Sequence, residues 1–124
     1  MLPEKFNDDE KLYRAVLPCS LFWKKDDNGE LRLSSAALKD SRGLSVDRGY
    51  GRPDSEVVDS MRQRLEGKIV SFEVRDCRSV KALVLYKPSS KNCYHSEVHG
   101  SEDKVPLSKL QSKKLAEFAK IIDT

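Results

Sequence analysis

The chain has 124 residues, of which 38% are hydrophobic and 35% charged, and its formal net charge is +3. This length suits one domain with a modest core, and the charge excess is smaller than dedicated nucleic-acid binders usually carry. The sequence shows no apolar run that could cross a bilayer, and its three widely spaced cysteines fit free thiols in a reducing compartment. We therefore expect a single cytoplasmic domain over 1–124, with 1–10 frayed and no membrane partner.

The first half of the chain has the pattern of strands and turns. Residues 11–17 form an apolar run that ends at a proline, which is typical of a strand. Residues 21–38 are predicted to form a hairpin around Asn28 and Gly29, because both residue types tolerate the backbone angles of a tight turn. Segment 39–53 contains three of the six glycines and is predicted to be a long irregular loop.

The second half has the pattern of alternating helices and strands. The predicted elements are a helix over 54–65, strands over 68–75 and 80–86, a further strand around His95, and a helix over 108–122. We expect Asp54 to cap the first helix and Gly67 to follow its end. Residues 68–75 alternate as a half-buried strand does, and the nearly continuous apolar run 80–86 predicts the central strand. Ser108 and Gln111 fit a capping box for the last helix.

This order of elements predicts the fold class. Strands and hairpins that are interrupted by only two substantial helices favour an α+β domain. We expect a mostly antiparallel sheet of four to six strands, with the two main helices packed on it.

Residues 92–100 hold both histidines of the chain, together with a cysteine and a glutamate. With the two-residue period of a strand, Cys93, His95, Glu97 and His99 share one face. Imidazole and carboxylate groups can transfer protons or contact a phosphate. We take His95, Glu97 and His99 as candidate catalytic residues, and the alternative is an ordinary half-exposed strand face with no special role.

A metal is a further interpretation of the same segment. Cys77, Cys93, His95 and His99 together offer four ligands of the kinds that zinc prefers. Their spacing matches no familiar zinc pattern, and HSEVH differs from the HExxH motif of metalloproteases. We assign no metal and leave the cofactor open, with a zinc-stabilised domain as the third hypothesis.

The basic residues point to an anion-binding surface. Arginine side chains match phosphate with two parallel hydrogen bonds, and glycines let backbone N–H groups approach a ligand closely. An arginine in an apolar strand, as in 11–17, must find a carboxylate or face solvent. The candidate substrate-binding residues are Arg14, Lys39, Arg42, Ser45 and Arg48. The alternative for the glycine-bearing segment is a mobile, charged surface loop.

Two segments carry a resemblance. SSAALKDSRGLSVDR (34–48) and NCYHSEVHGS (92–101) resemble segments of small bacterial proteins to which we attach no activity. The resemblance covers about residues 12–122 and implies a bacterial-type cytosolic protein. It brings no cofactor and no catalytic assignment with it.

Two functional hypotheses are therefore open. In the first, the domain binds or acts on a nucleotide or a nucleic-acid phosphate through the His/Glu/His strand and the Arg/Gly loop. In the second, it is a non-catalytic module or accessory subunit that binds a protein partner. The sequence does not decide whether the protein is an enzyme.

Overall fold

Eight strands and three helices make up the part of the chain that the computed structural model describes, residues 1–122. The strands are β1 Lys11–Val16, β2 Trp23–Lys25, β3 Leu31–Leu33, β4 Leu44–Arg48, β5 Lys68–Glu73, β6 Leu83–Tyr86, β7 His95–His99 and β8 Lys120–Ile121. The helices are α1 Asp54–Arg62, α2 Val74–Ser79 and α3 Lys109–Phe118, and a 3-10 turn spans Ser35–Leu38. The predicted α+β class is confirmed.

Six of the strands form one antiparallel sheet in the order β6-β7-β4-β1-β5-β8, and β2 and β3 form a separate hairpin. β1 pairs with β5 along its whole length, from Lys11 opposite Glu73 to Val16 opposite Lys68. With β4, its other neighbour, β1 pairs at only two positions, Leu12 and Tyr13. The two central strands therefore separate beyond Tyr13, and this separation creates a gap in the middle of the sheet.

The two faces of the sheet are covered unequally. One face carries the main core, in which Leu12, Val70 and Val98 pack with residues of α2, α3 and the 3-10 turn. On the other face α1 contributes a small second core, where Val57 and Met61 pack on β1 and β5. The neighbouring half of that second face, on β4, β7 and β6, bears half-exposed and polar side chains.

Residues 39–53 do not form the predicted loop, because they contain β4, which lies between β7 and β1. Leu44 and Val46 alternate with Ser45 and Asp47, so the segment has a strand period that its glycines obscure. The predicted hairpin is present but shorter than 21–38, since its second strand ends at Leu33 and a 3-10 turn follows.

The run 80–86 was expected at the centre of the sheet, and the structure places β6 at its edge. The strand predicted over 68–75 ends at Glu73, where a capping box with Asp76 starts α2. This strand is buried on both faces instead of one, because α1 covers the second face. The last helix begins at the predicted capping box but ends at Phe118, and β8 follows it.

Three predictions about chain ends and caps were wrong. Pro53 precedes α1 without a side-chain cap, and the Asp54 carboxylate instead accepts hydrogen bonds from β1. α1 stops at Arg62, and Gly67 lies further along with a positive φ, against the Val16 carbonyl. Residues 1–10 are not frayed, since Phe6 is buried in the main core and carbonyls of this segment accept hydrogen bonds from Arg48.

None of the helices in residues 1–122 has the length and apolar character that a bilayer crossing demands.

Candidate functional site

Arg14 fills the gap between β1 and β4. Its Nε donates to the main-chain oxygen of Ala37 at 3.1 Å, and its Nη1 donates to that of Ser45 at 2.9 Å. Within residues 1–122 no carboxylate lies close enough to form an ion pair with this guanidinium. Burial lowers the pKa of Arg14, and the negative charge of Asp40 acts in the opposite direction. Arg14 is thus a half-buried cation that two neutral carbonyls hold in place.

A cavity of about 390 Å³ opens beside this guanidinium, between the end of α1 and the separated strands. Its floor is apolar and its rim is polar. The apolar lining residues include Ala15, Leu17, Val46, Met61 and Leu65. The polar lining residues include Arg14, Ser45, Asp47, Arg64, Asn92 and His95.

Asp47 organises one wall of the cavity. Its Oδ2 accepts from Arg64 Nη2 at 2.7 Å, and its Oδ1 accepts from Asn92 Nδ2 at 3.0 Å. The Asp47 side chain is almost fully buried, and Arg64 is about one-third exposed. Both carboxylate oxygens are engaged, so Asp47 neutralises Arg64 and orders the wall. A carboxylate used in this way leaves Arg14 as the cation with charge available to a ligand.

His95 lies beside Asp47, its paired residue on β4. The Nδ1 atom of His95 is 2.8 Å from the main-chain oxygen of Lys87. A carbonyl oxygen can only accept, so Nδ1 carries the proton and Nε2 of the neutral ring has a free lone pair. This tautomer can accept a proton or a hydrogen bond from a ligand.

Glu97 and His99 continue the same strand face away from the cavity, as the alternation predicted. His99 Nε2 is 3.0 Å from Glu97 Oε1, and Nδ1 of this buried ring has no partner within the described residues. The ring packs on Gly43, where a Cβ atom would lie 2.4 Å from it. His99 is therefore closed off from solvent, and neither residue of the pair lines the cavity. Cys93 lies outside β7, in the turn that precedes it.

The predicted cationic residues of 39–52 separate in the structure. Lys39 and Arg42 are exposed on the segment that enters β4, outside the cavity. Arg48 is fully buried on the opposite face, where it forms an ion pair with Glu10 at 2.7 Å. Its guanidinium also lies over the ring of Phe6. The prediction that Arg48 holds a ligand is not supported, because β4 alternates and turns this side chain into the interior.

The four proposed zinc ligands do not come together. Cys77 is buried in the main core, where burial and then Asp76 raise the pKa of its thiol to about 12. Cys93 is exposed, His95 lines the cavity and His99 lies under Gly43. Across residues 1–122, no three His, Cys, Asp or Glu side chains are grouped as a metal site requires. This arrangement contradicts the zinc hypothesis for these ligands.

A wider cleft of about 560 Å³ lies at the other end of β1. At its base Tyr13 donates from its hydroxyl to Asp54 Oδ1 at 2.6 Å, and Lys11 Nζ is 3.1 Å from the same oxygen. Arg52 there stacks on Tyr94, 3.3 Å from the ring centroid. The Arg52 guanidinium also donates to two carbonyls, those of Gly49 at 3.1 Å and Arg48 at 2.9 Å. Unlike Arg14, it has a carboxylate within ion-pair distance, that of Glu56 at 3.9 Å.

Three of the predicted site residues, Arg14, Ser45 and His95, thus come together in the cavity. Asp47 and Arg64 were missed. Asp47 could have been found, since it is two positions after Ser45 in an alternating run and therefore shares its face. Arg64 follows a helix whose position depends on tertiary packing, and no local signal marks it.

Comparison with protein-family models, with curated proteins and with solved structures finds no match for this chain.

Proposed function

We propose that the protein binds a phosphate-bearing ligand, either a nucleotide or a nucleic-acid phosphate, in the cavity beside Arg14. The observation that carries this proposal is the half-buried Arg14 guanidinium, which lines the cavity without a carboxylate partner among the described residues. A buried charge without a counter-charge costs free energy, and an anionic ligand would compensate it.

The geometry of Arg14 favours phosphate recognition. Two carbonyl tethers fix the guanidinium plane before a ligand arrives, so little side-chain entropy is lost on binding. Ser45 is exposed at the same rim and offers a hydroxyl donor. Nε2 of His95 is a third polar group, which suits it to exchange a proton with the ligand. The apolar floor can contact a sugar or a base.

The roles predicted for Lys39, Arg42, Glu97 and His99 stay predictions, because these residues flank the cavity without lining it. The two segments that carry them are nevertheless neighbours, since β4 pairs with β7 from Leu44 to Asp47. This proximity favours a shared ligand site over the hypothesis in which the histidines lie far from 39–52.

The test is a binding titration with inorganic phosphate, nucleoside mono- and triphosphates, and a short single-stranded oligonucleotide. We expect at least one of them to bind, and Arg14→Gln to weaken that binding by about tenfold to a hundredfold through loss of charge-assisted hydrogen bonds. Arg14→Lys keeps the charge. It checks that weaker binding by Arg14→Gln comes from the lost charge and not from loss of the fold.

Two other arginine variants serve as controls. Arg75→Gln removes one exposed positive charge on α2, outside the cavity, and should leave affinity unchanged. Arg42→Gln tests whether the entry to β4 holds the anion, as the sequence predicted. If no phosphate ligand binds, or if Arg14→Gln binds as tightly as the parent protein, the proposal is wrong.

A protein-binding module is the second candidate, and the edge strand β6 favours it. The Lys87 N–H donates to the His95 carbonyl, so by the alternation of antiparallel pairs Val84 and Tyr86 direct their backbone groups away from β7. A partner strand can pair with such an edge. Rapid hydrogen exchange of the Val84 and Tyr86 amides would show that this edge is open, whereas strong protection would count against the candidate.

A further inference from the structure

The charges around the cavity limit the kind of phosphate ligand that it can take. Four charged side chains line it: Arg14, Asp47, Arg64 and Glu66. Asp47 and Arg64 neutralise each other at 2.7 Å. Glu66 is exposed at the rim, where it opposes the approach of further negative charge. Among the lining residues only the charge of Arg14 is left for an anion, and the Asp40 carboxylate acts on it from beyond ion-pair distance. The cavity therefore offers one positive group rather than a cluster of them.

The end of α1 adds to this limit. The helix ends at Arg62, and the Met61 carbonyl accepts from the N–H groups of both Arg64 and Leu65. The C-terminal end of a helix carries a partial negative charge. An anion is therefore favoured on the β1–β4 side of the cavity, beside Arg14 and Ser45, and disfavoured on the helix side. The helix side contributes the exposed Leu65 side chain between the charged Arg64 and Glu66, over the buried Met61.

We infer that the ligand is a nucleoside monophosphate, with its phosphate at Arg14 and Ser45 and its nucleoside part against Leu65. This inference rests on the proposed function and narrows it. A cavity of about 390 Å³ is within the usual size of small-ligand sites. A triphosphate or a nucleic-acid strand would place several charges beside one uncompensated cation and the Glu66 carboxylate, which is unfavourable.

The same contacts predict weak discrimination between bases. Reading a base edge requires free hydrogen-bonding groups, and the Asp47 carboxylate is already engaged on both oxygens. The Asn92 amide is engaged as well, since its Nδ2 donates to Asp47 and its Oδ1 accepts from the Tyr94 N–H. The apolar part of the wall, at Leu65, contacts any base equally well. The four common monophosphates should therefore bind with similar affinity.

The experiment compares the monophosphates of adenosine, guanosine, cytidine and uridine with adenosine triphosphate, inorganic phosphate and a single-stranded oligothymidine, using the full chain in calorimetric titrations. We expect each monophosphate to bind at least about tenfold more tightly than the triphosphate and than inorganic phosphate. Charge repulsion weakens binding of the triphosphate, and inorganic phosphate lacks the apolar contact of a nucleoside. The four bases should agree within about fivefold, since apolar contact distinguishes them poorly.

Leu65→Ala tests the apolar wall. It should weaken monophosphate binding by about threefold to tenfold through lost apolar contact while leaving inorganic phosphate unaffected. Leu110→Ala, at an exposed leucine of α3, is the matched control and should change neither affinity. Tighter binding of the triphosphate or of the oligonucleotide than of the monophosphates would overturn the inference. Equal affinity for inorganic phosphate and the monophosphates would overturn it too. Either result would leave the proposed function, binding of a phosphate-bearing ligand, in place. Failure of every phosphate compound would refute both.

Discussion

A partly buried hydrogen bond between Tyr13 and Asp54 connects β1 to the start of α1. Burial, followed by the adjacent carboxylate, raises the pKa of Tyr13, so its hydroxyl stays a proton donor. Tyr13→Phe removes this donor while keeping the ring, and we expect the free energy of unfolding to fall by about 1–2 kcal/mol in urea denaturation. Tyr50→Phe, whose hydroxyl has no partner within residues 1–122, should change it by less than about 0.5 kcal/mol. Equal losses of unfolding free energy in the two variants would show that the Tyr13 hydroxyl does not stabilise the fold through Asp54.

Asp54 also makes stability depend on pH. The hydrogen bond from Tyr13 and the nearby Lys11 ammonium lower the pKa of this carboxyl below its ordinary value of 3.8. A carboxyl with a lowered pKa stabilises the folded state above its unfolded pKa, and that contribution is lost as the pH falls through the folded value. Melting temperatures between pH 6 and 2.5 should therefore decline more steeply for the parent protein than for Asp54→Asn. Asp59→Asn, on the same helix, should follow the parent curve.

Glycine is required at position 43 for two reasons, the positive backbone angle φ and the closeness of the His99 ring. Its φ is +99°, and an added Cβ would lie 2.4 Å from the His99 ring. Gly29 has a φ of +77° with no atom within 4 Å of the same position, so it isolates the backbone cost. We expect Gly29→Ala to lower the free energy of unfolding by about 1 kcal/mol and Gly43→Ala by about 2–4 kcal/mol.

Adding His99→Ala to the Gly43 variant distinguishes the two causes. Removal of the ring relieves the overlap, so the double variant should lose less stability than the two single losses added together. Strict additivity in denaturant titrations would show that the ring does not cause the excess cost. Because His99 is buried, His99→Ala alone is also expected to lower the melting temperature, whereas His95→Ala should change it little.

At the scale of elements, a buried arginine is one of the groups that hold the N-terminal segment against the sheet. Arg48 donates to both carboxylate oxygens of Glu10 and to the carbonyls of Pro3 and Lys5. Arg48→Met leaves the Glu10 charge buried without its partner, and we expect a loss of about 3–5 kcal/mol in the free energy of unfolding. Glu10→Gln combined with Arg48→Met should recover part of this loss. A double variant no more stable than Arg48→Met would reject that account.

The elements that the sequence could predict are those marked by local signals. The capping box at Ser108 and the alternation of His95 to His99 are local signals, so α3 and β7 were predicted correctly at their starts. β4 was missed because its flanking glycines resemble a loop, and only pairing with β1 and β7 reveals it as a strand. The edge position of β6 is a property of strand order, which composition does not encode.

The sequence likewise predicted only part of the candidate site. Arg14 was identified because a cation in an apolar strand needs a partner, and the structure supplies two carbonyls instead of a carboxylate. Arg48 was taken for a surface residue because its interior position depends on Glu10, 38 residues away in sequence. The pairing of Asp47 with Arg64 likewise depends on where α1 docks.

For the molecule as a whole, the two cores predict unequal local stability. The main core contains residues from most of the chain, whereas α1 is held by a small cluster around Val57 and Met61. We expect native-state hydrogen exchange to show that amides of α1 open with a lower free energy than those of β1 and β5. Exchange of all three elements through one common opening would contradict this prediction. Because Met61 also lines the cavity, such openings of α1 would widen it.

The anchoring of Arg14 to peptide oxygens has an evolutionary consequence. Both acceptors belong to the backbone, so exchanging the side chains at positions 37 and 45 does not remove them. Under the proposed function, changes at Ser45 or in the apolar wall would alter ligand selection without loosening the anchor. The guanidinium and the residues that select the ligand can therefore vary independently during evolution.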